Sequence, residues 1–255
     1  MTCSLVITTY NWPEALKLVL KSILIQSELP EEVIIADDGS KDDTKKLIES
    51  FQSFFPVPLI HSWQEDDGFR AAASRNKAIS KVNSEYIVLI DGDMILHKDF
   101  IKDHKKNALS GYFIQGGRVL LSKNNTSSLS FFSAKLENRK NTIHCSLLSL
   151  IFSTKKDTLK GIKTCNMSFF KNDCLKINGF NEDFVGWGRE DSEFIVRFYN
   201  NKIHRQTIKF NCIAYHIWHN ENSRKFLEEN DNILNKTINN KLKWCENGIN
   251  KYSKE

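Results

Sequence analysis

No apolar run in this sequence approaches the length a membrane-spanning helix needs, which excludes a helical bilayer span. No CxxC pair occurs. The six cysteines, Cys3, Cys145, Cys165, Cys174, Cys212 and Cys245, stand far apart, which argues against a zinc knuckle or a disulfide framework and for reduced, mostly core thiols. No basic-then-apolar leader precedes the first strand-like run, Ser4-Leu5-Val6-Ile7-Thr8, and no small-residue cleavage site is present, so the expected location is the cytoplasm. Lysines are scattered rather than clustered despite a net charge of +5, so nucleic acid is not an expected partner, whereas attraction to an anionic membrane surface stays open. Repeats and low-complexity linkers are also lacking. What is present, 255 residues of which 40% are hydrophobic and 11% aromatic, suffices for one substantial core and suggests one domain with a tail. A charged fraction of 26% and a mean hydropathy of −0.41 describe a soluble chain.

The first hundred residues alternate strand and helix patterns. After the strand at Ser4 to Thr8, Leu16, Val19, Leu20, Ile23 and Leu24 recur at helical offsets, and Pro13 fits the first turn. Val33-Ile34-Ile35-Ala36 is a second apolar run, ended by Asp37-Asp38-Gly39-Ser40 and followed by a polar helix with Leu47, Ile48 and Phe51 on one side. A third strand is expected near Pro58-Leu59-Ile60, a helix at Ala71 to Ile79, and a fourth strand at Tyr86 to Ile90. Such runs suit a parallel sheet covered by helices on both faces, and in open sheets of that kind ligands bind beyond the carboxyl ends of the strands. Residues 105 to 165 show few clear elements. Their apolar patch, Leu147 to Phe152, reads as a buried strand or helix piece, or alternatively as a loop that touches lipid or an acceptor. The stretch from Asn222 to Tyr252 looks helical and packed on the domain, with Phe226, Ile233, Leu234, Ile238, Leu242 and Trp244 among charges.

Three clusters carry candidate chemistry. Asp91-Gly92-Asp93 directly follows the fourth apolar run, so two carboxylates emerge at the sheet's edge beside a glycine that permits close approach. Oxygen ligands of this kind suit a hard divalent ion that keeps positions open for phosphate oxygens. An Asp-x-Asp turn is also a common solvated loop, and its place after a core strand is what favours the metal. Ala214-Tyr215-His216-Ile217-Trp218-His219 offers two imidazoles, either of which alone would be an ordinary core or surface histidine. Two carboxylates plus one imidazole favour manganese over magnesium. Gly186-Trp187-Gly188-Arg189-Glu190-Asp191 precedes a helical pattern in Phe194, Ile195, Phe198 and Tyr199, which places Asp191 near a helix N-terminus. A capping carboxylate and a general base for an acceptor hydroxyl are equally open there.

Together these clusters resemble the family 2 glycosyltransferases of the GT-A fold, in the branch whose carboxyl-terminal segment is shared with β-1,4-galactosyltransferases. Asn178-Gly179-Phe180, then Trp187-Gly188 and Glu190-Asp191, is similar to an NGF triplet followed by a WGWGGED motif, as also found in related form in chondroitin-type polymerases. The similarity spans about residues 3 to 220, and four motifs occur in order. It implies an α/β fold: a Rossmann-like, mostly parallel central sheet flanked by helices, with a helical carboxyl-terminal tail. Residues 1–220 would form the GT-A domain, 1–105 its nucleotide-binding half and 106–220 its acceptor and catalytic half, with 221–255 a packed extension. The resemblance implies Thr8, Tyr10 and Asp38 around uracil and ribose, and Arg70 near the nucleotide or diphosphate. It implies Asp91 and Asp93 as the metal-binding pair, Asp93 the more direct, and His216 as third ligand with His219 the alternate. Asp191 takes the place of the catalytic base, Glu190 holds the acceptor or donor sugar, and Asn166 and Trp187 line the sugar site. Arg189 departs from the galactosyltransferase glycine, so acceptor preference does not carry over.

The implied reaction is metal-dependent, inverting transfer from a UDP-sugar to a glycan hydroxyl, with manganese preferred and magnesium the alternative. Galactose or N-acetylgalactosamine is favoured as the donor sugar. A glycan or lipid-linked glycan acceptor, bacterial surface polysaccharide or lipopolysaccharide synthesis, and peripheral contact with the inner face of the cell membrane are the expected setting. Two alternatives stand beside this. A non-catalytic nucleotide-sugar-binding protein would keep the fold but commonly loses the base or the acid pair, both present here. A nucleotidyltransferase wants a glycine-rich, basic loop after strand one, and Thr8-Thr9-Tyr10-Asn11-Trp12-Pro13 has neither glycine nor positive charge.

Overall fold

A computed structural model describes residues 1–122, 139–220 and 225–252. The expected alternation is present: β1 (Cys3–Thr9), α1 (Pro13–Leu24), β2 (Glu32–Asp37), α2 (Asp42–Gln52), β3 (Leu59–Trp63), α3 (Ala71–Ser80) and β4 (Tyr86–Asp91). Pro13 opens α1, whose Leu16, Val19, Leu20 and Ile23 are buried on the sheet. β1, β2 and β4 are buried along nearly their whole length because helices cover both faces, which is why their sequences are unbroken apolar runs. Helix α3 is the least amphipathic: Ala71, Ala72, Ser74, Arg75, Asn76, Ala78 and Ile79 are all buried, since a carboxyl-terminal 3-10 turn (Ile249–Tyr252) packs on its outer side.

The later elements are β5 (Met94–Leu96), α4 (Phe100–Asn107), β6 (Tyr112–Gln115), β7 (Gly117–Leu120), α5 (Arg139–Thr142), α6 (Ser146–Phe152), β8 (Thr154–Lys155), β9 (Asn166–Phe170), α7 (Lys171–Lys176), α8 (Glu190–Asn200), β10 (His204–Thr207), β11 (Ile213–His216) and α9 (Leu227–Asn239). The main sheet runs β3-β2-β1-β4-β9-β6-β10-β8. Its first four strands are mutually parallel, β9 is antiparallel to both β4 and β6, β10 is parallel to β6, and β8 is antiparallel to β10. A second sheet, β5-β11-β7, lies beyond β4. The register places Thr8 opposite Asp91 and Thr9 opposite Asp37, so three polar strand ends meet at one edge.

Two expectations are corrected. The apolar patch Leu147 to Phe152 is helical, as α6, but it is not buried: Leu147, Leu150, Ile151 and Phe152 are exposed. Among the described residues of the tail, only Leu227–Asn239, α9, is α-helical. Lys241 adopts a positive φ of 50° just after it, and the chain then runs irregularly to the 3-10 turn. The tail does pack on the rest: α9 lies against α8, Asn200 donates to Leu242 O at 2.7 Å, and Tyr252 donates to Glu182 at 3.1 Å.

Candidate active site

A cleft of about 630 Å³ opens where β1 and β4 end, lined by Thr8, Tyr10, Asp38, Arg75, Asp91, Asp93, Thr164, Trp187, Glu190, Asp191 and His219 among others. Gly92 makes the turn between the two acids. Its N–H donates to Thr8 O at 2.7 Å, and a Cβ there would come within 3.0 Å of that oxygen and of Thr9 Oγ1, so the close approach read from the sequence is real. Asp38, nearly fully buried, accepts from Gln64 Nε2 at 2.7 Å and from the Arg70 backbone N–H at 2.9 Å. Burial pushes its carboxyl up to about 6 despite these donors.

Arg75 sits at the centre. Its Nε donates to Thr8 Oγ1 at 3.2 Å, its Nη2 lies 3.4 Å from Asp91 Oδ1, and its Nη1 lies 3.5 Å from Glu190 Oε1 and 3.4 Å from Asp191 Oδ1. One guanidinium therefore faces three carboxyl groups. The crowding is visible in their acidities: burial, then Asp191 beside it, raises Glu190 to about 8, and burial, with Asp93 and Asp191 adding to it, raises Asp91 to about 6 against the pull of Arg75.

Glu190 and Asp191 form the first turn of α8, entered through Arg189 at a positive φ of 75°. Asp191 is held from across the cleft: Thr164 N–H donates to Oδ2 at 3.0 Å and Thr164 Oγ1 donates to Oδ1 at 2.7 Å. Its partners are thus Thr164 and Arg75 rather than the end of its own helix. The Gly186-Trp187-Gly188 wall is shaped by the tail. A Cβ on Gly186, at a φ of 72°, would overlap the Phe226 ring, and Asn230 Nδ2 donates to Val185 O at 3.1 Å and Gly188 O at 2.9 Å. Arg189 pairs with Asp231 at 2.6 Å.

The second sheet builds the other wall. His216 in β11 pairs with Met94 in β5, and Ile217 N–H donates to Asp93 O at 2.9 Å, which brings a distant imidazole beside the acidic turn. His216 Nε2 and His219 Nε2 each lie 3.3 Å from Asp93 Oδ2. One possible ligand atom from each of the three residues falls within 4.8 Å of the others. Burial holds His216 below the usual imidazole range, whereas the more exposed His219 is raised by its hydrogen bond to Asp93. Asp93 Oδ1 is buried with no hydrogen-bond partner among the described residues. A buried carboxylate oxygen without a donor is costly, and a divalent cation is the partner such a mixed oxygen and nitrogen set fits. Asp91 turns instead toward Arg75, with 36% of its side chain open to the cleft.

Residues 4–151 match the family model described as glycosyl transferase family 2. The chain belongs to that family. Residues 148–220 match a second model, described as the N-terminal domain of galactosyltransferase. This glycosyltransferase is 24% identical to a chondroitin synthase of Escherichia coli over 84% of its own length and 34% of that protein's. It is also 24% identical to a GalNAc(5)-diNAcBac-PP-undecaprenol beta-1,3-glucosyltransferase of Campylobacter jejuni over 78% of the chain and 60% of that protein. Among solved structures, S. aureus TarS 1-349 in complex with UDP superposes with a TM-score of 0.64 at 16% identity, covering 92% of this chain and 64% of that one, a likeness of fold. The chain thus spans less than two thirds of each of these relatives.

Of the residues singled out in the glycosyltransferase sequence, Thr8, Tyr10, Asp38, Asp91, Asp93, Trp187, Glu190, Asp191 and His219 line one cleft, and His216 stands behind Asp93. Two lie elsewhere. Arg70 offers the site its backbone N–H, while its guanidinium pairs with exposed Asp67 at 3.3 Å. Asn166 is fully buried beneath the cleft. Its Nδ2 donates to Gly117 O and Cys212 O, both at 2.8 Å, so its Oδ1 accepts from His104 Nε2 at 3.1 Å, and that side chain locks β9 to its neighbours. Sequence reasoning missed Arg75 and Thr164. Arg75 had a signal, a charged residue in a helix otherwise rich in small and apolar residues, since an arginine that must be buried requires acidic partners. Thr164 had none, because it leads into β9 from a stretch without a readable period.

Proposed function

We propose that this enzyme transfers a hexose or N-acetylhexosamine, galactose or N-acetylgalactosamine first, from a UDP-sugar to a hydroxyl of a glycan acceptor with inversion at the anomeric carbon. The observation that carries the reading is the convergence in one cleft of Asp191, steadied by Thr164 and Arg75, with Asp93 and His219, backed by His216 behind Asp93. Asp191 accepts the proton of the acceptor hydroxyl as that oxygen attacks the anomeric carbon and the bond to the UDP oxygen breaks. One displacement turns a UDP-α-sugar into a β-linkage. Asp93 with the two imidazoles would hold a divalent ion, manganese preferred, with Asp91 in the same acidic turn. When bound, that ion neutralises charge growing on the departing diphosphate. Asp38 and Tyr10 border the nucleoside end, and Trp187 with Glu190 borders the sugar.

Three features support the choice of substrates. The fold is shared with a protein crystallised with UDP, the 148–220 segment matches a galactosyltransferase model, and one relative is named for a glycan on undecaprenyl diphosphate. A surface polysaccharide or lipopolysaccharide under assembly, free or lipid-linked, is the acceptor class. The test is a panel of UDP-, GDP- and CDP-sugars with manganese, read as nucleotide diphosphate released with and without glycan acceptors. One UDP-hexose or UDP-N-acetylhexosamine should be turned over, and excess chelator should silence it. Preference for a GDP- or CDP-sugar overturns the donor assignment, and full turnover in chelator removes Asp93 and the histidines from the ligand role.

A further inference from the structure

We propose that the outward face of α6, with the lysines around it, docks this protein on the surface of an anionic lipid bilayer. Leu147, Leu150 and Ile151 stand at helical spacing on one face and are 67%, 79% and 65% exposed. Ile143 just before them and Phe152 just after are exposed as well. The helix is anchored by its opposite side. Ser149 is buried, the Phe152 ring lies 5.7 Å from that of Phe210, and Cys145 N–H donates to Phe210 O at 3.0 Å. A surface helix of a soluble domain turns such a stripe toward the core, and here the stripe faces out.

The charge around it is one-sided. Between positions 141 and 160 the chain carries Lys155, Lys156 and Lys160 against a single acid, Asp157, which His204 already engages at 2.7 Å. The Lys209 backbone N–H donates to Ser153 Oγ at 3.1 Å, which brings a further exposed lysine to the end of the helix. Apolar side chains entering the headgroup boundary, with lysines meeting anionic phosphates, is the arrangement of an interfacial helix. A second copy of this chain is a poorer occupant, because a twofold contact would set one lysine rim against the other.

The position also suits a lipid-borne acceptor. Thr154 pairs with Thr207 at the carboxyl end of β10, and β10 runs in the same direction as β4, so α6 lies at the sheet edge where the cleft opens. Only this last link rests on the function proposed above; adsorption to lipid does not.

The test is flotation of the full chain with vesicles of equal parts phosphatidylglycerol and phosphatidylethanolamine, and with phosphatidylcholine vesicles, at low and high salt. The wild type should float with the anionic vesicles, less so at high salt. The double variant Leu150→Ser/Ile151→Ser should lower that partition at least about tenfold, and Lys156→Glu/Lys209→Glu should remove most of its salt dependence. UDP affinity and thermal melting, measured on the same samples, should be unchanged in both, because these side chains lie outside the cleft. That separates failure of docking from failure of the transfer reading. A wild type that ignores anionic vesicles at low salt, or a double variant that floats as well as wild type, overturns the proposal. So does sedimentation showing a dimer that the Leu150→Ser/Ile151→Ser variant dissociates.

Discussion

Asp191 Oδ2 takes the Thr164 N–H, and Oδ1 takes the Thr164 hydroxyl with Arg75 at 3.4 Å. A carboxylate has room for about four donors, so one acceptor position is left for an incoming hydroxyl. Asp191→Asn keeps the shape and removes the basicity. Turnover should fall at least about a hundredfold while UDP affinity, measured by calorimetry, stays nearly unchanged. Normal transfer by that variant would rule out the base assignment. At this scale the acids were legible because each lies in a short motif with a fixed relation to a strand end or helix start. Arg75 was not assigned: its charge within a helix of small and apolar residues marks it locally, but its partners come from β1, β4 and α8, which lie far apart in the sequence.

Among the elements, α4, β4 and β9 are joined by one buried chain of polar groups. Tyr86 OH lies 2.8 Å from Ser168 Oγ, which lies 2.7 Å from His104 Nδ1, while His104 Nε2 donates to Asn166 Oδ1. Burial lowers His104 to about 3, so the folded protein keeps it neutral. An unfolded histidine titrates near about 6.5, so the unfolded state binds the extra proton first. This contribution is therefore fully present above about pH 6.5 and drains away as pH falls toward the folded value, by about 2 kcal/mol between about pH 7 and about pH 5. Denaturant midpoints of the wild type and His104→Gln across that interval should show a shallower pH slope in the variant, although the variant is less stable at neutral pH. Equal slopes would mean that His104 titrates as freely folded as unfolded. The tail makes a second prediction. Asn230→Ala leaves Val185 O and Gly188 O without their donor and should loosen the Trp187 wall, raising the KM for the donor or acceptor sugar several-fold while UDP affinity holds. An unchanged KM for both would show that the wall stands without α9. The short strands β5, β7 and β11 escaped the sequence because three or four residues carry no readable period, yet they deliver His216 to Asp93. Helix α6 misled in the opposite way: its apolar run is real, but burial follows from tertiary packing and not from composition.

For the molecule as a whole, β1 to β4 could be read from the chain because parallel strands buried on both faces write themselves as apolar runs separated by amphipathic helices. The far half of the sheet could not. There β9 reverses direction and β6, β10 and β8 add from distant segments, an order fixed by long-range pairing. That reversal matters for the chemistry, since β9 places Thr164 and Cys165 across from the ends of β1 and β4 and so closes the cleft around the acids. In the proposed reaction Asp93, His216 and His219 would hold a cation against the sugar diphosphate in this cleft. Calorimetric UDP affinity with and without manganese, for wild type and Asp93→Asn, tests it most directly. Manganese should tighten UDP at least about tenfold in the wild type and leave the variant nearly indifferent. A wild type whose UDP affinity is the same with manganese and with chelator would contradict it.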